Sequence, residues 1–141
     1  MLIQSKHPMK PLIDPVPTDL IEAELTRERF LRPTNNGDNE IYVVTAGDSP
    51  NVMREIGRLR EVSFRDGGGG TGADTDIDEY DLDPEGYRQL IVWDPKQKEI
   101  VGGYRFIISH SSHPKCMSTE HYFRFTDKFR EEYLPYTIEL G

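Results

Sequence analysis

Short hydrophobic runs alternate with polar turn segments along the chain, a pattern that predicts strands joined by turns. Residues 88–94 and 99–108 are two such runs, and the polar turn 95–98 between them predicts an antiparallel hairpin. Residues 40–46 are rich in β-branched and aromatic side chains and predict another strand. Residues 136–141 predict the beginning of a further strand.

A different spacing after residue 46 predicts a helix. Ser49 is predicted to cap this helix, and Pro50 stands at the first helical position, where a missing N–H costs nothing. The residues of its predicted buried face recur every three to four positions: Val52, Ile56, Leu59 and Ser63. Arg54 and Arg58 lie off this stripe and are expected to face solvent.

Two other segments are predicted to be helical. Residues 18–31 predict a short amphipathic helix with Thr18 or Asp19 as its cap and an end before Pro33. Residues 118–133 are predicted to be helical in part, because aromatic residues recur there every four positions.

The two ends of the chain differ in proline content. Residues 1–19 contain four prolines, which oppose both helix interiors and central strands, so this segment is predicted to be an N-terminal arm. Residues 20–141 are then expected to form one domain portion. The glycine-dense segment 67–72 predicts a loop, and the helix before it excludes a dinucleotide-binding reading of its glycine spacing.

Composition excludes several classes of function. A net charge of −8 argues against nucleic-acid binding, and no apolar run reaches the ~20 residues that a transmembrane helix needs. No signal-peptide pattern is found, and the single cysteine, Cys116, rules out an internal disulfide. We therefore expect a cytoplasmic protein, with peripheral membrane association as the other option.

No metal site is predicted. His110 and His113 lack further ligands nearby and are expected to be exposed loop residues, while Cys116 is expected to be a small apolar residue. The acidic residues from Asp74 onward lack the glycine and terminal glutamate of an EF-hand loop, which argues against calcium.

Arg105 lies in the second strand of the predicted hairpin, among apolar neighbours. A buried guanidinium needs compensation, so we expect a carboxylate partner from the protein or from a ligand.

Four short motifs in fixed order carry a resemblance to a known family. They occupy residues 58–64 (Arg-Leu-Arg-Glu-Val-Ser-Phe), 76–81 (Asp-Ile-Asp-Glu-Tyr-Asp), 101–105 (Val-Gly-Gly-Tyr-Arg) and 138–141 (Ile-Glu-Leu-Gly). The chain resembles the N-acyltransferases of the GNAT superfamily that make ornithine and glycine lipids, often called hemolysin-like, and their relatives the acyl-homoserine-lactone synthases.

The resemblance implies an α/β fold with a mixed, mainly antiparallel sheet and flanking helices. The arginine and the phosphate-binding turn that follow Glu-Leu-Gly in the family are absent, so the chain resembles the N-terminal half of the domain, truncated after the fourth or fifth strand. Alone, this half is expected to be inactive.

The implied reaction moves a fatty acyl group from acyl carrier protein or coenzyme A to the amine of an amino acid, with no covalently bound cofactor. Glu139 is implied as the general base or the anchor of the ammonium group. The alternative is a structural carboxylate paired with Arg105 or Arg60. Phe64 is expected to belong to the substrate-binding site.

The resemblance also implies roles for two arginines and two aspartates. Arg60 and Arg105 would bind a substrate carboxylate or a carrier phosphate, or else form salt bridges to Asp78, Asp81 or Glu139. The two aspartates would orient the amine, or else belong to a solvated face or a helix N-terminus.

The expected partners are acyl carrier protein and an amino-acid acceptor. Arg54, Arg58 and Arg65 are candidate contacts for the acidic carrier protein. Two alternatives stay open: a non-catalytic interaction module that dimerises through the open edge of the last strand, and an acyl-homoserine-lactone synthase-like enzyme. The latter would need S-adenosylmethionine, for which the sequence shows no dedicated feature.

Overall fold

The computed structural model describes residues 8–109 and 117–141. Within these residues the strands form one sheet in chain order, and all neighbouring strands are antiparallel. The strands are β1 (Phe30–Pro33), β2 (Glu40–Val44), β3 (Arg88–Asp94), β4 (Glu99–Ile108) and β5 (Ile138–Leu140). The helices are α1 (Thr18–Glu24), α2 (Pro50–Asp66) and the single turn α3 (Glu79–Leu82). The predicted α/β class and mainly antiparallel sheet are confirmed.

The β3–β4 hairpin is confirmed with its predicted turn. Gln89 lies opposite Arg105, and Ile91 lies opposite Gly103. A Cβ on Gly103 would lie 2.5 Å from the Leu90 carbonyl oxygen, so the close approach of the two strands requires glycine there.

The core lies on one face of the sheet, between the strands and the helices α1 and α2. Its largest cluster consists of Val16, Ile21, Tyr42, Val44, Val52, Met53, Ile56, Ile91 and Trp93. A second cluster consists of Tyr87 before β3, Ile107 on β4, and Met117 and Leu134 from the segment after β4. The segment after β4 thus covers the end of the sheet where β5 pairs with β4.

The prediction of one helix over 18–31 is wrong. The helix α1 ends at Glu24, a turn follows, and β1 begins at Phe30 and pairs with β2. Neither Thr18 nor Asp19 caps it, because Pro17 occupies the N-cap position without a side-chain hydrogen bond. Strand pairing with β2, a tertiary contact, overrides the helical propensity of the second half of this segment.

The helix α2 begins at Pro50 as predicted, with Ser49 at the N-cap position. The Ser49 hydroxyl, however, donates to Asp48 Oδ1 at 2.7 Å. The carboxylate of Glu24 from α1 instead accepts hydrogen bonds from the Asn51 and Val52 amides at 3.1 and 2.8 Å. A neighbouring helix therefore supplies the cap that the sequence assigns to a local serine.

The buried face of α2 differs in part from the predicted stripe. Ser63 is exposed, whereas Glu55 and Glu61 are buried. Glu55 accepts a hydrogen bond from the Val16 amide of the arm at 3.0 Å and pairs with Arg58. The prediction that Arg58 is a free charge in solvent is therefore wrong. Packing of the arm on this side of the helix widens the buried face.

The glycine-dense segment is a loop, as predicted, and Gly68 and Gly70 have φ angles of 82° and 96°. Buried Glu61 closes this loop by accepting hydrogen bonds from the Thr71 and Gly72 amides, each at 2.9 Å. The loop in turn holds the N-terminal arm, since the Lys10 amide donates to the Gly72 carbonyl at 2.9 Å.

The segment after β4 is only partly helical, as predicted. It contains 3₁₀ turns at Ser118–His121 and Leu134–Tyr136 and one π-helical turn at Phe129–Tyr133. The predictions for His110, His113 and Cys116 lie outside the described residues. Among the residues described, no helix has the length and apolar character needed to cross a membrane.

Candidate functional site

The acidic segment 76–81 docks against α2 because α2 contains a glycine at the contact. A Cβ on Gly57 would lie 2.5 Å from Ile77 Cγ1, and the Asp76 amide donates to the Gly57 carbonyl at 3.0 Å. The small residue allows Ile77 to insert, which brings the neighbouring aspartates to the C-terminal half of the helix.

Asp78 and Asp81 form a reciprocal capping box at the start of α3. The Asp81 amide donates to Asp78 Oδ1 at 3.0 Å, and the Asp78 amide donates to Asp81 Oδ2 at 3.1 Å. Asp81 is only 1% exposed, and Gln89 from β3 donates to its Oδ1 at 2.8 Å. Both aspartates thus stand at a helix N-terminus, as one of the alternatives expects, and their role in orienting the amine stays a prediction.

Both predicted arginines belong to an ion-pair network with this segment. Arg60 Nη1 lies 3.0 Å from Asp81 Oδ2, and Arg60 Nε lies 3.6 Å from Asp76 Oδ2. Arg105 Nη1 lies 2.8 Å from Asp78 Oδ2 and 3.2 Å from Asp81 Oδ1. The expected carboxylate partner of Arg105 is thus present, and both arginines form salt bridges to the acidic segment, while their role in substrate binding stays a prediction.

The network holds two guanidinium groups and three carboxylates, so its formal charge is negative. Burial is the main cause that raises the pKa of Asp76, and the neighbouring carboxylates add to it against the opposing effect of Arg60. Burial alone would raise the pKa of Asp78, but hydrogen bonds from Arg105 and the Asp81 amide outweigh this effect and lower it. Sequence reasoning did not assign Asp76 to the site, although it lies in the acidic motif.

Glu139 lies on β5 opposite Ile107 and therefore shares a sheet face with Arg105. Its Oε1 accepts hydrogen bonds from Tyr87 Oη at 2.5 Å and Ser118 Oγ at 2.6 Å. Among the described residues Glu139 forms no ion pair with Arg60 or Arg105, so the predicted structural pairing is not observed.

The pKa of Glu139 is lowered. Desolvation alone would raise it, but the hydrogen bonds from Ser118, Tyr87 and Thr119 outweigh that effect. The other oxygen, Oε2, is buried and has no hydrogen-bond partner in the described part of the chain. The carboxylate is therefore charged at neutral pH, with one oxygen bound by the protein and the other without a partner among residues 8–109 and 117–141.

Sequence reasoning missed Tyr87 and Ser118. Tyr87 precedes β3 and is 1% exposed, and Ser118 begins the 3₁₀ turn after the residues that are not described. No local pattern links two residues 31 positions apart, and only the return of the chain to β5 brings both to Glu139.

A groove of about 680 Å³ lies between the C-terminal half of α2 and β4. Its lining includes Arg60, Phe64, Asp78 and Arg105. Phe64 is 53% exposed. Asp81 and Glu139 are not among its lining residues. The structure thus brings four of the six predicted site residues to one groove, and Asp81 and Glu139 do not line it.

The predicted basic patch for a carrier protein is not an exposed cluster. Arg65 Nε pairs with Glu61 Oε1 at 2.8 Å, and Arg58 pairs with Glu55. Arg54 is exposed. Internal ion pairs therefore neutralise two of the three charges.

Comparison with known proteins supplies the remaining findings. The acetyltransferase (GNAT) domain family matches residues 59–141. A glycine N(alpha)-acyltransferase of Bacteroides thetaiotaomicron is 51% identical over 138 residues, which cover 94% of this chain and 41% of the relative. A protein of the same name from Phocaeicola vulgatus is also 51% identical and is covered to 42%. No solved structure matches the chain. The chain thus spans about two fifths of the length of these relatives.

Proposed function

Because the chain belongs to the family of acetyltransferase (GNAT) domains, we propose that it is the N-terminal part of an N-acyltransferase acting on an amino-acid amine. Glycine is the proposed acceptor, since the two relatives at 51% identity are named for it. A fatty acyl thioester of acyl carrier protein or coenzyme A is the proposed donor, and the product would be an acylated amino acid of lipid synthesis.

The observation that carries this proposal is the unequal hydrogen bonding of the two carboxylate oxygens of Glu139. One carboxylate oxygen is held by donors from Tyr87, Ser118 and Thr119, and the other is buried and unpaired among the described residues. A charged carboxylate with one buried oxygen that the described residues leave unpaired is unfavourable unless a further donor completes it. A substrate ammonium group has the charge and the donors to do so.

The reaction needs two protons to leave the acceptor nitrogen. The carboxylate of Glu139 takes the first, directly or through water, which frees the lone pair for attack on the thioester carbonyl. Collapse of the tetrahedral intermediate breaks the C–S bond and forms the amide. One proton ends on the leaving thiolate, and the other passes from the carboxyl group to solvent.

The groove is proposed to hold the carboxylate end of the acceptor. Arg105 is paired, but its partner Asp78 has a side chain that is 40% exposed and can be exchanged for a substrate carboxylate. The negative balance of the network favours an approaching ammonium group over an isolated anion. A zwitterionic amino acid meets both conditions.

The test is an acyl-transfer assay on the full-length product of the reading frame that encodes this chain. Acyl carrier protein and coenzyme A thioesters are each combined with glycine and with ornithine, and S-adenosylmethionine serves as the acceptor for the lactone-synthase alternative. We expect acylglycine, and we expect Glu139→Gln to abolish its formation. Glu131→Gln, at an exposed position, is the matched control. Absence of product with every amine would refute the proposal, and the 141-residue chain assayed alone is expected to be inactive.

A second candidate function rests on the position of β5 at the edge of the sheet. Ile138 and Leu140 on this strand are 57% and 64% exposed. An exposed apolar edge strand can pair with a partner strand, which favours a dimerisation module. Light scattering after size-exclusion chromatography tests this: a monomer over the whole concentration range would rule out pairing between copies.

A further inference from the structure

Tyr87 and Ser118 form a cradle of hydroxyl groups around one oxygen of Glu139. Tyr87 Oη lies 2.5 Å and Ser118 Oγ lies 2.6 Å from Glu139 Oε1, and the Thr119 amide adds a third donor at 3.3 Å. The two hydroxyl oxygens are 3.1 Å apart, and the Ser118 amide donates to Tyr87 Oη at 2.9 Å.

The lowered pKa of Glu139 leaves its carboxylate ionised and acceptor-only, which determines where the hydroxyl protons point. Each hydroxyl has a single proton, and each oxygen can accept as well. If both hydroxyl protons point to Glu139 Oε1, the Ser118 amide supplies the hydrogen bond that Tyr87 Oη accepts. The two contacts to Oε1 and the contact from the Ser118 amide are then donor–acceptor pairs, and no proton lies between the two hydroxyl oxygens.

The cradle is rigid on the tyrosine side. The Tyr87 ring is 1% exposed, packs edge-on against Tyr80 at a centroid distance of 6.3 Å, and lies under the Arg105 guanidinium. Burial, followed by the hydrogen bond to Glu139, raises the pKa of Tyr87, so the phenol keeps its proton and remains a donor. The phenol hydroxyl of Tyr87 therefore cannot turn away from Glu139 without loss of the packing around the ring.

Three donors on Oε1 and none from the described residues on Oε2 make the carboxylate asymmetric. We propose that Tyr87 and Ser118 are positioning residues of the acyl transfer, which hold Glu139 so that Oε2 alone is presented to the ammonium group of the acceptor. This inference rests on the proposed function. It assigns to Tyr87 and Ser118 an effect on turnover that acts through Glu139, without contact with substrate.

The experiment compares Tyr87→Phe, Ser118→Ala and Ser118→Thr in the full-length product. Tyr87→Phe keeps the ring and removes the donor, and Ser118→Thr keeps the hydroxyl that Ser118→Ala removes. Tyr136→Phe is the control, because its side chain is 87% exposed. The readouts are kcat and KM for the acyl thioester over a range of pH, together with the ¹³C-NMR titration of the Glu139 carboxyl group.

We expect Tyr87→Phe and Ser118→Ala to lower kcat by roughly 10-fold or more, as loss of a hydrogen bond to a charged group predicts. The KM for the thioester should stay unchanged. The acidic limb of the rate profile and the Glu139 titration should both move to higher pH, because fewer donors stabilise the charged form. Ser118→Thr should restore both.

A fall in kcat without movement of the Glu139 titration would show a merely structural role and overturn the inference, as would unchanged kcat in both variants. The NMR titration needs no turnover. If the unaltered protein acylates no amine, the proposed function fails, and the catalytic role of Tyr87 and Ser118 fails with it. A shift of the Glu139 titration in Tyr87→Phe would then show only that these residues stabilise the charged carboxylate.

Discussion

The guanidinium carbon of Arg105 lies 4.5 Å from the centre of the Tyr87 ring. This contact joins the two halves of the candidate site, because Arg105 belongs to the ion-pair network and Tyr87 donates to Glu139. A cation over an aromatic face is itself favourable, and here it stabilises both partners in position. A Cβ at Gly141 would lie 3.0 Å from Arg105 Nε, so glycine at this position leaves room for the arginine side chain.

Replacing Arg105 with lysine should destabilise the fold by about 2 kcal/mol, the loss expected for a hydrogen bond between charged groups. The planar guanidinium lies over the Tyr87 ring and still bonds to Asp78 and Asp81, whereas the compact ammonium group of lysine cannot make all of these contacts. Urea unfolding measures the change. Arg88→Lys, at an exposed position of β3, is the control and should be neutral. Equal stability of the two variants would contradict a structural contribution from the network.

Asp81→Asn should destabilise the protein on the order of 3 kcal/mol. The buried carboxylate accepts hydrogen bonds from Arg60, Gln89 and the Asp78 amide. In asparagine an NH₂ group replaces one of the two acceptor oxygens, so at least one of these donors would meet another donor. Thermal unfolding followed by circular dichroism is the measurement. Asp66→Asn at the exposed end of α2 should change little, and a similarly small effect at position 81 would show that the network tolerates loss of its central charge.

Adjacent glycines of β4 should respond differently to alanine. Gly103→Ala places a methyl group 2.5 Å from the Leu90 carbonyl oxygen and should cost about 1–3 kcal/mol of unfolding free energy. A methyl group added at Gly102 would have no neighbouring atom within 4 Å, so Gly102→Ala should be neutral or slightly stabilising. Chemical denaturation of both variants tests the strand register directly, and equal effects would mean that the register is wrong.

The free energy of unfolding should depend on pH through Glu61. Desolvation opposes ionisation of its carboxyl group, but hydrogen bonds from Arg65, Thr71 and Gly72 lower its pKa to about 2 from an ordinary value of 4.5. Its stabilising contribution is therefore complete above pH 4.5 and is lost as the pH falls toward about 2. Unfolding free energies measured across this range should fall less steeply in Glu61→Gln than in the control Glu131→Gln. Parallel curves would exclude a lowered pKa.

Local patterns were enough to predict most strands, the helix α2 and the glycine loop, because each depends on residues close together in the chain. The period of the hairpin and the β-branched run before α2 are signals of this kind. The sequence also showed that Arg105 would need a carboxylate, since its apolar neighbours in β4 exclude water. Four motifs in order were sufficient for the family resemblance, which the match to residues 59–141 confirms.

Tertiary packing alone determined which groups became partners. Arg105 meets Asp78 and Asp81 across 27 and 24 positions, and Glu139 meets Tyr87 across 52, distances over which spacing carries no signal. The strand β1 likewise exists because β2 offers it a pairing edge. Each outcome depends on strand register and on how closely Ile77 docks at Gly57. A shift of one residue in register would turn Arg105 and Glu139 to the other face of the sheet.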